Sequence, residues 1–399
     1  MRPDHFRSYR RHLLSTALCV GLATGVALDA FAADPEVIKI GVVVPLTGPG
    51  APWGLAAAEG VKIIAAETNA AGGLDVAGAK HKVEIIAYND QFKTAETVTA
   101  VNRLINQDKA KIVMLMTSAG TMAVRDSFES NKVLGLTSSM SQKVIDKNSN
   151  YLFSMYSTPY NFLPSMIDYL KANTPATFRR VAVVNPNDEL GWAQTELSTK
   201  VFKDKGYEVV EKDLFERSQR DFQSMLTKLL AAKPDVIDLG GTDPAVAGLI
   251  IRQARELGFK GQFFKGASSG PEATVAAAGA ANAEGMINML FADPTNAGFK
   301  SIAEKYKART GNDANEVIVG YADAARVVLA AIQKAGTVSD TTKIAAAFKQ
   351  TLPMTGLQGT KMVFGGNEVY GKDAQIKTVN YIGVIRDGKT VVVGEAKYD

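Results

Sequence analysis

The chain has 399 residues, 46% of them hydrophobic, with 45 Lys and Arg against 41 Asp and Glu for a formal charge of +4. Such balance excludes a polycationic nucleic-acid or membrane-surface binder. One cysteine and three histidines exclude a disulfide scaffold and the usual zinc ligand sets, while the length allows two ordinary domains.

Residues 1–32 read as a secretory signal peptide. Arg2, Arg7, Arg10 and Arg11 give a basic start, Leu13 to Leu28 an apolar run, and Ala30 and Ala32 an Ala-x-Ala cut. The run is short of the ~20 residues that span a bilayer. Leu18, ahead of Cys19, is not the small residue that lipid attachment to that cysteine requires. Cleavage after Ala32 removes Cys19, His5 and His12, so His81 is the only histidine of the exported chain. That chain is expected to be soluble, near neutral and held by its core alone.

Apolar runs then alternate with helix-like runs. "VIKIGVVV" (Val37–Val44) leads through the loop "PLTGPGAPWG" to a helix near Ala56–Ala70, and "KVEIIAYND" to a helix near Ala95–Gln107. "AKIVMLM" leads to "TSAGTMAVRDSFESNK", and "VLGLTSS" follows. The rhythm restarts with "RRVAVVNPND", "YEVVEKDLF", "PDVIDLGGTD" and "QFFKGASSG", each but the last followed by an amphipathic stretch. Continuous β-branched runs joined through helices predict parallel strands covered on both faces, here in two series of similar size. The C-terminal part adds helices and a hairpin turning at Asp387-Gly388. In such sheets ligands lie beyond the carboxyl ends of strands. Six of those ends ("PLTGPGAPWG", "TSAGT", "TSSMS", "NPNDELGW", "GGTDP", "GASSG") are rich in Gly, Ser, Thr, Asn and Asp and hold both tryptophans, which points to a shared cleft.

The order of "IGVVVPLTGPGAPWG", "NAAGG", "IIAYND", "MTSAGTMA", "NPNDELGW", "DFQSMLTKLLAAKPDVIDLGG", "IIRQARELGF" and "ANAEGM" resembles type I periplasmic binding proteins of branched-chain amino acid (leucine/isoleucine/valine-type) ABC importers. The resemblance implies an α/β fold of two Rossmann-like lobes joined by three crossings. Residues 33–154 and 292–372 would form lobe 1, and 155–291 and 373–399 lobe 2. It further implies a periplasmic, monomeric receptor that hands a small molecule to an inner-membrane ABC permease, with no cofactor and no metal. A membrane sensor as the partner is an alternative.

The same resemblance places Trp53 against the apolar part of the ligand. It places Ser118, Thr121, Ser139 and Ser141 in a pocket for the ligand's carboxylate, with amides at a helix start as further donors. Ser268 stands where binders of α-amino acids present an acid to the ligand's ammonium group, and Leu190 and Thr242 stand at tyrosine positions. Asp243 or Asp188 would have to replace the missing acid. Otherwise the ligand is an aromatic or other organic acid. Trp192 is expected in the cleft or over the second lobe's core. Tyr160 is a further candidate for the cleft, and Tyr321 is read as core. "GASSG" also fits Gly-x-Ser-x-Gly around Ser268, the nucleophile elbow of serine hydrolases. That fold takes its base histidine from later in the chain, and none follows Ser268.

Overall fold

The computed structural model describes residues 36–397, so the signal peptide read in residues 1–32 lies outside the described residues. The first series runs β1 (Ile38–Val44), α1 (Ala51–Ala70), β2 (Leu74–Val76), β3 (Ala79–His81), β4 (Val83–Asn89), α2 (Thr94–Asn106), β5 (Ile112–Leu115), α3 (Ser118–Asn131), β6 (Leu134–Thr137) and β7 (Leu152–Ser154). The second runs α4 (Pro159–Ala172), β8 (Arg180–Pro186), α5 (Glu189–Asp204), β9 (Glu208–Phe215), α6 (Gln223–Ala231), β10 (Val236–Asp238), α7 (Pro244–Glu256), β11 (Gln262–Lys265), α8 (Pro271–Ala278), α9 (Ala280–Ala283) and β12 (Ile287–Leu290). The chain closes with α10 (Ala297–Thr310), α11 (Val317–Ala335), α12 (Thr341–Phe348), β13 (Met354–Thr355), β14 (Lys361–Gly365), α13 (Asn367–Tyr370), β15 (Gln375–Lys377), β16 (Asn380–Arg386) and β17 (Lys389–Ala396).

Two large sheets result, β13-β14-β15-β7-β6-β5-β1-β4 and β17-β16-β12-β11-β10-β8-β9. Each contains five parallel strands in the same order: β4-β1-β5-β6-β7 in the first lobe and β9-β8-β10-β11-β12 in the second. The central strands are apolar without alternation because helices cover both faces; Val42, Val43, Val44, Val113, Met114 and Leu115 have no exposed surface. From β1 the chain crosses to β4 on one side and then to β5 on the other. The loops after β1 and β5 therefore part and leave a crevice, as do those after β8 and β10. The two-lobed fold read from the sequence is thus present.

Details differ from expectation in two places. Helix α1 starts at Ala51, so Pro52, Trp53 and Gly54 form its first turn instead of a loop; proline fits there because no first-turn N–H has an intrahelical acceptor. His81, the only histidine among the described residues, ends the small β2–β3 hairpin, and its Nδ1 lies 2.7 Å from the Glu36 carbonyl. Strand β15 pairs with β7 and β14 in the first sheet, so the last crossing lies between Lys377 and Asn380 and not at 372/373. There the Ser157 hydroxyl donates to the Thr378 carbonyl (2.7 Å) and accepts from the Thr378 amide (2.9 Å), tying two crossings together. Asp387 and Gly388 turn the last hairpin with φ of 51° and 72°, both left-handed as a tight hairpin requires.

Candidate functional site

Strand β1 and helix α1 meet so closely that a Cβ on Gly54 would stand 1.9 Å from the Pro45 carbonyl oxygen. This contact fixes the first turn of α1 and carries Trp53 into the space between the lobes. Trp53 is buried, its Nε1 donates to the Ser269 carbonyl of the second lobe (3.1 Å), and its ring meets Phe92 edge-on at 6.2 Å. Phe92 sits in a tight turn with φ of 58°, held by the Asp90 carboxylate, which accepts from its amide (3.0 Å). Burial pushes the Asp90 carboxyl up.

Helix α3 begins beside them. Thr117 occupies its cap without a side-chain bond, since its hydroxyl donates to Asp90 instead (3.3 Å). The first-turn amides are therefore left without a side-chain acceptor, and Ser118 and Ala119 line the cavity. The Ser118 hydroxyl accepts from Ser139 (2.8 Å). Ser138 pairs with the Tyr321 hydroxyl (2.8 Å), and the rings of Tyr156 and Phe291, near two of the crossings, meet at a tilt with centroids 4.6 Å apart.

The opposite wall comes from the second lobe. Asp188 caps α5, accepting from the Gly191 amide (3.1 Å), and also accepts from Arg217 Nε (2.6 Å). Asp243 caps α7 and lies 3.4 Å from Arg217 Nη1. The guanidinium carbon stands 4.4 Å above the Phe92 ring, a cation–π contact across the cleft. Lys265 is fully buried and donates to the Ser268 hydroxyl (2.6 Å) and the Ser269 carbonyl (2.8 Å). Burial pushes Lys265 down to about 7. The enclosed space is about 130 Å³. A water needs ~10–15 Å³ of such space, so one small organic molecule fits.

Of the residues singled out in the sequence, Trp53, Ser118, Asp188 and Ser268 line this cavity, as does Leu190. The others stand apart from it. Thr121 lies fully buried on the inner side of α3, donating to the Thr117 carbonyl (2.8 Å) and paired with Thr137 (2.9 Å). Ser139 stands behind Ser118. Ser141 reaches across to Glu189 (2.8 Å). The Thr242 hydroxyl donates to the Val184 carbonyl (3.3 Å), and Asp243 is engaged by α7 and Arg217. The Tyr160 hydroxyl bonds the backbone of Gln142, and burial pushes it up to about 12. Trp192 is 50% exposed, bonds Asn187 (2.9 Å), and lines an open surface groove with Leu214 and lysines 200, 203 and 212.

Ser268 does not form an elbow. Its hydroxyl donates to the Thr242 carbonyl (3.2 Å), and α8 starts only at Pro271. The sequence reading passed over Phe92, Arg217, Tyr156, Ser269 and Phe291. Topology offered a signal for two of them: Phe92 follows β4 and Arg217 follows β9, the corresponding edge strands of the two sheets.

Known proteins share this architecture. A leucine-binding protein from Thermotoga maritima superposes with a TM-score of 0.77 at 23% identity, covering 90% of this chain and 99% of its own. A solute-binding protein of an ABC transporter from R. palustris, solved in complex with benzoate, gives 0.77 at 18% identity, covering 91% and 97%. In sequence, a leucine-, isoleucine-, valine-, threonine- and alanine-binding protein of Pseudomonas aeruginosa is 26% identical over 347 residues, 84% of this chain and 88% of that one. The profile of the periplasmic binding protein family matches residues 37–389, nearly all that the structure describes, and the chain belongs to that family.

Proposed function

We propose that this protein is the extracytoplasmic receptor of an ABC importer, a periplasmic monomer that holds a small carboxylate-bearing molecule between its lobes and delivers it to a membrane permease. One observation carries the reading: the cavity lies between the lobes, and side chains from each lobe bond the other across it. Trp53 donates to Ser269, Ser141 to Glu189, and the Gly270 amide to Glu316 (2.9 Å). A ligand touching both walls favours this closed form, because it makes all its contacts only there. The ligand's carboxylate sits at the start of α3, where Ser118 and the first-turn amides are donors, and Trp53, Tyr156 and Phe291 cover its apolar part. Relatives named for leucine or solved with benzoate bracket the ligand class. Among the described residues no helix is long and apolar enough to cross a membrane.

A thermal-shift screen against amino acids, aromatic acids, aliphatic acids and amides tests this. At ~100 times its dissociation constant a ligand adds roughly 2.7 kcal/mol of stability. A raised melting point with an acid, and none with its amide, is the expected result. Stabilisation by amides alone contradicts the carboxylate reading.

A further inference from the structure

Arg217 stands in the cleft wall with one donor unused. Its Nε is taken by Asp188 (2.6 Å), its Nη1 faces Asp243 (3.4 Å), and its carbon packs on Phe92. Its Nη2 is buried and has no partner, although the residue lines the cavity. The Ser269 hydroxyl, in a residue 2% exposed that also lines the cavity, is buried and unpartnered as well. Buried polar atoms are rarely left in this state. Both belong to second-lobe residues that line the cavity, so a ligand oxygen that reaches this wall finds two donors without other partners.

The acceptor side of the cavity is as informative. Among the described residues Asp188 is the only acid lining it, and both its oxygens are engaged, one by the Gly191 amide and one by Arg217. The Phe92 face, which could receive an ammonium group, is covered by the guanidinium. An α-ammonium group in this cavity would lose its water and meet only a carboxylate whose charge Arg217 already balances, an unfavourable exchange for a charge. An oxygen acceptor would instead meet an arginine held rigid by two carboxylates and a ring.

We propose that Arg217 selects the ligand, and that the ligand is an organic acid without an ammonium group that carries, besides its α3-bound carboxylate, a second oxygen acceptor directed at Arg217 and Ser269 of the second lobe. This rests on the receptor function proposed above. Rejection of amino acids follows from the missing partner, and preference among acids from the second acceptor.

Calorimetric titration of the purified protein with matched pairs tests both halves. Phenylalanine against 3-phenylpropanoate differs only by the ammonium group. Benzoate against benzene-1,4-dicarboxylate differs only by the second acceptor. The unsubstituted protein should favour 3-phenylpropanoate and the dicarboxylate, each by about tenfold or more. Arg217→Met should abolish the second preference and shrink the first, because Asp188 is then free to accept an ammonium group. Arg217→Lys, which keeps the charge, should retain part of the second. Should Arg217→Met show no cooperative melt, the lysine variant and the unsubstituted ratios decide. Tighter binding of phenylalanine than of 3-phenylpropanoate, or a dicarboxylate preference unchanged in both variants, overturns the proposal and leaves the receptor reading intact. If no acid in the panel or in the thermal screen binds, both fall.

Discussion

Trp53 and Trp192 occupy nearly the same place in their lobes, yet one lines the cavity between the lobes and the other faces water. The close-approach glycine explains the difference. Gly54 packs against the Pro45 carbonyl at the start of α1, and Gly191 against the Pro186 carbonyl at the start of α5, where an added Cβ would stand 1.8 Å away. Trp53 comes one residue before its glycine, Trp192 one residue after. Two residues turn a helix by about 200°, which carries Trp192 to the outer face. The counterpart of Trp53 is Leu190, which lines the cavity, and the counterpart of Trp192 is Leu55, 40% exposed like its partner. Leu190→Ala is therefore expected to weaken ligand binding by ~1 kcal/mol, about fivefold, through lost apolar contact. Trp192→Ala should leave affinity within ~0.5 kcal/mol of the original, as surface changes usually do. Titration of both variants with the same ligand checks the assignment, and a larger loss for Trp192→Ala would reverse it.

At the level of elements, the strand-end glycines decide where each helix begins. An alanine in place of Gly54 gains about 1 kcal/mol of helix propensity. It also drives a Cβ to 1.9 Å from a backbone oxygen that cannot rotate away, so α1 must shift. Overpacking of this kind costs about 1–3 kcal/mol. Gly54→Ala is expected to lower the midpoint of urea unfolding and to weaken binding, since the same turn carries Trp53. A raised midpoint would mean that propensity outweighs the clash. The strands and helices themselves were legible in the sequence, because parallel strands covered on both faces leave continuous apolar runs such as "GVVV" and "KIVMLM". The start of α1 was not, because Pro and Gly read locally as loop while the tertiary contact with Pro45 makes them a first helical turn. Ser118, placed by the family resemblance, lines the cavity at a helix start. Phe92 and Arg217 were not legible: "NDQF" and "ERSQR" lack the Gly/Ser pattern of the other strand ends, and the two residues, one from each lobe, meet only through tertiary structure.

For the molecule as a whole, several bonds join the two lobes, and one of them ends on a titratable carboxyl. Glu316, just ahead of α11 in the first lobe, is 2% exposed and accepts from the Gly270 amide of the second lobe. Burial pushes its carboxyl up to about 8 from a usual 4.5, with the nearby Glu272 adding to the rise. The folded protein then holds a proton that the unfolded chain has lost between about pH 4.5 and 8. Stability contributed by this group is full below pH 4.5 and falls as the pH rises through that window. Lys265 acts in the opposite sense at higher pH. Buried and pushed down to about 7 from 10.5, it releases a proton that the unfolded chain keeps, so its destabilising effect is full below about pH 7 and eases as the pH climbs toward 10.5. Glu316→Gln keeps a carbonyl oxygen for Gly270 and removes the titration. Melting temperatures of the two proteins, measured from pH 5 to 9, should show the unsubstituted protein losing stability relative to the variant between pH 5 and 7. A difference that stays flat across that range would show that Glu316 is already ionised in the folded protein, paired with Lys265 as its anion.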